Sequence, residues 1–161
     1  MEISDPSLPP AGQIFGAWWD LAQIFKRHVT PVLAREHGLD FKDFMAISAI
    51  QHGALYPGLL CERMTVTPST ASRIIDDLVK GGLVERQLDP QDSRRVRLTL
   101  TGRGETALNG ARATMITLMD RGLKGLSPEQ VSGFVAVVRH LVAHMDGLET
   151  REPLPPIEES A

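Results

Sequence analysis

Four side chains at the start of one short segment carry the chemistry of a polar contact: Ser69, Thr70, Ser72 and Arg73. Each hydroxyl donates or accepts singly. The guanidinium is a planar fork that grips two acceptors at once, on a phosphate or on a guanine edge. Arg94 and Arg95 form a second basic pair, in a stretch that also holds the carboxylates of Asp89 and Asp92. Those aspartates can pair with Arg94 and aim it. Cys61 is the one thiol, and redox chemistry would require it to be exposed and acidified. Filling a small core position is the reading preferred for it. His140 and His144 stand four apart, which suits two ligands on one metal ion, but no acid or cysteine at helical spacing completes the set. Packing at an interface is the expectation for that pair, and His28, His37 and His52 are scattered. No glycine-rich phosphate loop, metal-ligand motif or nucleophile beside an orienting base is present, so an enzyme is not expected.

The first four residues must be positioned by a helix. Thr67 suits the N-cap and Pro68 the first helical position. Ala71, Ile74, Ile75 and Leu78 then recur at i, i+3, i+4 and i+7, one apolar face. Gly81 and Gly82 end the segment. One side is buried, and small hydroxyls with one arginine are left on the other. A preceding helix over about 58–64, with Leu59, Leu60 and Met64, makes the pair a helix-turn-helix. Beyond Gly82 the period shortens. VERQL (84–88) and RVRLTL (95–100) read as strands, the second with Val96, Leu98 and Leu100 on one face. The polar loop DPQDSRR between them is too long for a two-residue turn. The strands and their arginine-bearing loop form a wing.

Composition bounds the partner. The chain has 161 residues, 42% of them hydrophobic, and a formal net charge of −3, which is no blanket polycation. Residues 63–103 nevertheless hold eight basic side chains against five acidic ones, so positive charge gathers around the helix and wing. A single cysteine excludes an internal disulfide framework and suits a reducing compartment. With no apolar run of membrane-spanning length and no signal-like start, the cytoplasm is the expected location, without membrane contact.

Around this centre the pattern is helical. A long helix is expected over about 11–37, with Ile14, Trp18, Leu21, Phe25 and Val32 on one face and Phe15, Trp19, Ala22, Val29 and Leu33 widening it. Trp18, Trp19, Phe25 and Phe44 are expected to be mostly core. Pro31 should kink or split the long helix, because it removes a ladder hydrogen bond. A second helix follows over about 41–52, capped by Asp40, with Phe44, Ala46, Ile47 and Ile50 inward. Residues 53–57 form a turn with room for a very short strand. Thr101 caps a helix over about 102–124, carrying Leu108, Ala111, Met115 and Leu118. Ser127 to Gln130 reads as a capping box for a last helix, with Val131, Phe134, Val135, Val138, Leu141, Val142 and Met145. The first and last helices expose more apolar surface than this chain can cover alone, so a partner is required. Residues 1–10 read as an arm, and 149–161 as an acidic, proline-rich tail.

Residues 58–104, GLLCERMTVTPSTASRIIDDLVKGGLVERQLDPQDSRRVRLTLTGRG, resemble the winged-helix core of the MarR family of bacterial transcriptional regulators. The features that carry the resemblance are GLVER (82–86), the loop of Asp89, Asp92 and Arg94, and the run Leu100, Thr101, Gly104, in that order and spacing. Helix order extends it to about 11–148, as a single domain with dimerisation helices at 11–37 and 127–148 and a winged helix at 40–104. Gln91 departs from the pattern, standing where many relatives have a wing arginine.

The resemblance implies a mainly α fold with a small β wing, assembled as a homodimer on a near-palindromic double-stranded DNA operator. Ser69, Thr70, Ser72 and Arg73 would read the major groove, and Arg94 and Arg95 would serve the minor groove or its phosphates, with Asp89 and Asp92 as wing support. It further implies that a small aromatic or phenolic ligand binds a cleft lined by residues such as Trp19, His28, Phe44 and Met115, and that no cofactor is needed. The expected function is a ligand-released repressor. Two alternatives stand beside it: a winged helix used as a protein-interaction module, and a redox-responsive regulator using Cys61. Relatives that sense oxidants do so through a cysteine in the first helix, which this sequence lacks.

Overall fold

A computed structural model of the chain describes residues 7–146. The expected arm at 1–10 lies partly, and the tail at 149–161 wholly, outside the described residues. The element order is α1 (Pro10–His37), α2 (Phe41–Gln51), α3 (Pro57–Met64), α4 (Pro68–Lys80), β1 (Val84–Leu88), β2 (Val96–Leu100), α5 (Gly102–Gly122) and α6 (Pro128–Asp146). The mainly helical fold with a two-stranded wing is as expected. The chain divides into two compact units after Met119.

The first unit is built on one aliphatic core. Val29 and Leu33 of α1, Phe44, Ala46, Ile47 and Ile50 of α2, Leu60 of α3 and Ile74, Ile75 and Leu78 of α4 are buried together. Leu83, Val84, Leu98, Leu108 and Ala111 close it from the wing and α5. Each large aliphatic side chain removed from water contributes about 1.5–3 kcal/mol, so this apolar face is what holds α4 in place.

Local signals set the ends of the helices. Gly38 takes a left-handed φ of 64° after α1, with its N–H on the Ala34 carbonyl at 3.2 Å. Asp40 and Asp43 form a reciprocal capping box on α2. Of the two glycines after α4, Gly81 is right-handed at φ −72° and only Gly82, at φ 66°, uses glycine's freedom. β1 and β2 pair antiparallel from Val84–Leu100 at the base to Leu88–Val96 at the tip.

Three features differ from expectation. Of the two effects expected of Pro31, a kink or a split, the split does not occur: the first helix runs unbroken from Pro10 to His37. Pro31 and Arg27, whose carbonyl loses its ladder partner, are both exposed, so water can satisfy the freed group. No strand forms at 53–57. There the backbone contact with the wing is a single bond, from the Leu98 N–H to the Leu55 carbonyl at 2.7 Å. Trp18 and Trp19 are not core: they are 54% and 46% exposed, beside exposed Ile14, Phe15, Leu21 and Ile24. Only the C-terminal half of α1 reaches the core, through Val29 and Leu33, with Phe25 half-buried against it.

Thr65, between α3 and α4, is the only non-glycine residue with positive φ (52°) among those described. A β-branched residue there carries roughly 1–2 kcal/mol of strain. Its side chain is exposed. Thr65→Gly is therefore expected to raise stability by roughly 0.5 kcal/mol, strain relief exceeding the added unfolded-chain entropy. A lower denaturation midpoint would show that this turn is not strained.

The second unit contains the end of α5 and α6. Ser127 accepts from the Gln130 N–H at 3.3 Å while Gln130 accepts from the Ser127 N–H at 2.8 Å, the expected capping box. Along α6, Phe134, Val135, Val137, Leu141, Val142 and Met145 are all exposed.

Candidate nucleic-acid interface

The start of α4 is organised by its cap. The Thr67 hydroxyl accepts from the Thr70 N–H at 3.3 Å and also meets the hydroxyls of Ser69 (3.1 Å) and Thr70 (2.9 Å). The cap contributes about 1 kcal/mol to the helix. It also engages two of the three hydroxyls assigned to contact. Ser72 and Arg73 are exposed on the same first turns, while Ala71, Ile74 and Ile75 point into the core. The outward surface therefore consists of one free-standing guanidinium with small hydroxyls around it.

The wing presents a different arrangement. Asp89 is 7% exposed, the only buried charged or polar side chain among the described residues. Its Oδ1 accepts from the backbone N–H of Gln91 at 2.7 Å and of Asp92 at 3.1 Å. Its Oδ2 accepts from the Tyr56 hydroxyl, across 33 residues of sequence. Asp92 in turn accepts from the Arg94 N–H at 3.0 Å. Both aspartates thus brace the loop through its backbone, and Gln91 takes part through its own N–H rather than its side chain. The guanidiniums of Arg94 and Arg95 form no ion pair among the described residues. Arg95 instead lies over the Tyr56 ring, 3.9 Å from its centroid. Arg97 is half-buried, with its Nε enclosed and unpaired. Arg86 is bound to Asp76 of α4 at 2.7 Å, fastening β1 to that helix.

The hydrogen bond from Tyr56 holds the Asp89 carboxyl below its ordinary range, with the Gln91 and Asp92 amides adding to it. The same bond raises the Tyr56 phenol above its usual value near 10. The signs follow from linkage. The Asp89 contribution is present above the unfolded carboxyl pKa and is lost as pH falls through the lowered one; the Tyr56 contribution is present below about 10 and lost as pH rises through the raised value.

Tyr56 is the residue that the sequence reading passed over. It occupies the N-cap position of α3, where a Ser, Thr or Asp would cap, yet makes no cap hydrogen bond. That misfit was the only available signal.

The remaining candidates are dispersed. Trp19 and His28 are exposed on α1, Phe44 is buried in the core and Met115 packs half-buried against it. A recess of about 400 Å³ is lined instead by Tyr56, Pro57, Leu59, Glu62, Arg95 and Val96. Cys61 is half-buried in α3. The rings of His140 and His144 stack at 3.9 Å, with the His144 Nδ1 on the His140 carbonyl at 2.9 Å. No group of three metal-ligating side chains occurs among the described residues, and no helix there is long and apolar enough to cross a membrane.

Known proteins share this fold. Residues 37–95 match the family model described as MarR family. An uncharacterized HTH-type transcriptional regulator, YkoM of Bacillus subtilis, is 23% identical over 116 residues, 71% of this chain and 75% of its own. A MarR family protein from Bacillus stearothermophilus superposes with a TM-score of 0.76 at 20% identity, over 84% of this chain and 95% of that one. MepR of S. aureus, in a complex with DNA, does so with a TM-score of 0.66 at 15% identity, over 85% and 99%. At these identities the superpositions establish the fold. Residues 37–95 therefore carry a direct match to the MarR family, and the fold that continues around them is the one seen in solved MarR family proteins.

Proposed function

We propose that the chain acts as a homodimeric, sequence-specific repressor that grips a near-palindromic operator and is released by a small aromatic ligand. The observation that carries the DNA reading is the first turns of α4. An exposed arginine and small hydroxyls stand on a helix whose other face is anchored in the core, with the wing arginines free of ion pairs nearby. Arg73 would take a guanine edge in the major groove, and the wing would take the minor groove beside it. The exposed apolar faces of α1 and α6 support self-association, which sets two reading helices about 34 Å apart on one side of the duplex. A ligand would lower operator affinity only through its preference for one dimer geometry over another.

Selection of bound fragments from genomic DNA with the purified protein tests this. The expected result is an inverted-repeat sequence bound in a salt-dependent way, released by one member of a panel of phenolic acids. Arg73→Ala should cost about 1–3 kcal/mol on the selected duplex and little on random DNA. If that variant keeps full sequence preference, the assignment of the reading helix is wrong. If no sequence is enriched, the winged helix serves a protein partner instead.

A further inference from the structure

Arg94 and Arg95 are adjacent in sequence, but the structure treats them differently, and the cause lies outside the wing. Tyr56 precedes α3, and its neighbour Leu55 already receives the Leu98 N–H of β2 at 2.7 Å. The Tyr56 hydroxyl reaches into the wing loop and donates to Asp89, while its ring lies beneath the Arg95 guanidinium. Asp89 returns its own N–H to the Arg95 carbonyl at 3.0 Å, and Arg95 donates its N–H to the Asp92 carbonyl at 2.9 Å. One tyrosine therefore fixes the loop through a carboxylate, a backbone turn and a stacked arginine.

The chemistry of the donor matters. A buried carboxylate in a wing that carries Arg94, Arg95 and Arg97 would ordinarily recruit one of them, because a charge-assisted bidentate pair is the strongest bond available to it. Such a pair would neutralise a wing arginine. Here a neutral phenol and two backbone amides satisfy Asp89 instead, so its negative charge is met without taking a guanidinium out of use. Both arginines are exposed, but Arg95 is held by stacking on the Tyr56 ring, and Arg94 is the one not stacked on it.

We propose that Tyr56 is the positioning residue of the wing, setting the loop so that Arg94 enters the minor groove while Arg95 stays on the tyrosine ring. This rests on the DNA-binding reading above. Tyr56 touches no base in this scheme; it acts through Asp89 and Arg95.

The test uses the full-length protein and a labelled copy of the duplex that it selects from genomic DNA. Tyr56→Phe keeps the ring beneath Arg95 and removes only the hydroxyl. It is expected to weaken binding about tenfold and to reduce the salt slope by about 1, as for one lost phosphate contact. Arg94→Ala should weaken wild-type binding about tenfold, yet change the Tyr56→Phe protein much less, since coupled residues are not additive. Wild-type affinity in Tyr56→Phe, or effects that simply multiply, would overturn the proposal.

A spectroscopic readout is independent of DNA. The chain has a single tyrosine, so near-ultraviolet absorbance against alkaline pH reports Tyr56 alone. Its midpoint should lie above 10 and move back toward the ordinary value in Asp89→Asn; an ordinary midpoint in the wild type would remove the contact on which the proposal stands. The control is Arg73→Ala. If it abolishes sequence preference while Tyr56→Phe changes nothing, wing positioning fails and the DNA reading survives. If neither Arg73→Ala nor Tyr56→Phe alters binding, the DNA reading fails, and this proposal with it.

Discussion

Exchanging Gly104 for alanine is expected to lower stability by about 2 kcal/mol, although alanine is the better helix former. A Cβ at position 104 would lie 2.0 Å from the Leu83 carbonyl oxygen and 3.0 Å from its carbon. These are backbone atoms, so no rotamer change relieves the overlap. The junction is also tied in place. The Thr101 N–H donates to the Leu83 carbonyl at 3.1 Å, the Thr101 hydroxyl donates to the Gly82 carbonyl at 2.7 Å and accepts from the Gly104 N–H at 3.0 Å. Making room for a methyl group means moving α5 off Leu83 and stretching those bonds. Overpacking of this kind costs roughly 1–3 kcal/mol and a lost hydrogen bond about 1, against a helix-propensity gain of about 1. Gly102, with nothing within 4 Å of its would-be Cβ, is the control: Gly102→Ala should stay within about 0.5 kcal/mol of wild type. Denaturant midpoints at one fixed protein concentration keep the comparison valid whether or not the chain self-associates. Equal stability of the two variants would mean that the close approach at Leu83 does not exist.

The second large effect is on assembly. Phe15 and Trp18 are 63% and 54% exposed on the N-terminal half of α1, so charging them disturbs no core. The double variant Phe15→Asp/Trp18→Asp is expected to keep its helical circular dichroism and to sediment as a monomer. Operator affinity should then fall by on the order of 100-fold, because the second half-site is no longer held at high effective concentration. Both tryptophans of the chain sit on this face, so in Phe15→Asp alone the emission spectrum reports whether they leave water on association. A double variant that still sediments as a dimer would place the contact elsewhere.

What was legible in the sequence was whatever is encoded within one turn of helix or one strand. The Thr67 cap, the buried set Ala71, Ile74, Ile75 and Leu78, the capping boxes at Asp40 and Ser127 and the whole of β1 fall into that class. Periodicity identifies an apolar face but not what covers it, which is why Trp18 and Trp19 read as core and stand exposed. Pro31 shows the limit of a local rule, since its cost depends on whether water reaches the freed carbonyl. The resemblance marked Leu100, Thr101 and Gly104 as a motif without giving its reason. The reason is tertiary, a contact with Leu83 some twenty residues earlier. Tyr56 was illegible for the same cause: its partner Asp89 is remote in sequence, and nothing around position 56 signals a wing.

The clamp at Gly82, Leu83 and Thr101 has a mechanical consequence. It fuses the exit of α4 to the entry of α5, while Arg86 and Asp76 fasten β1 to α4, so α4, the wing and the root of α5 are tied into one lever. α5 is 21 residues long, a rod of about 31 Å at 1.5 Å per residue. Tilting such a rod by roughly 5° at its far end swings the reading head by about 3 Å, close to one base-pair step. In the proposed dimer, a joint of this kind would let the spacing between two heads be retuned without remaking either one.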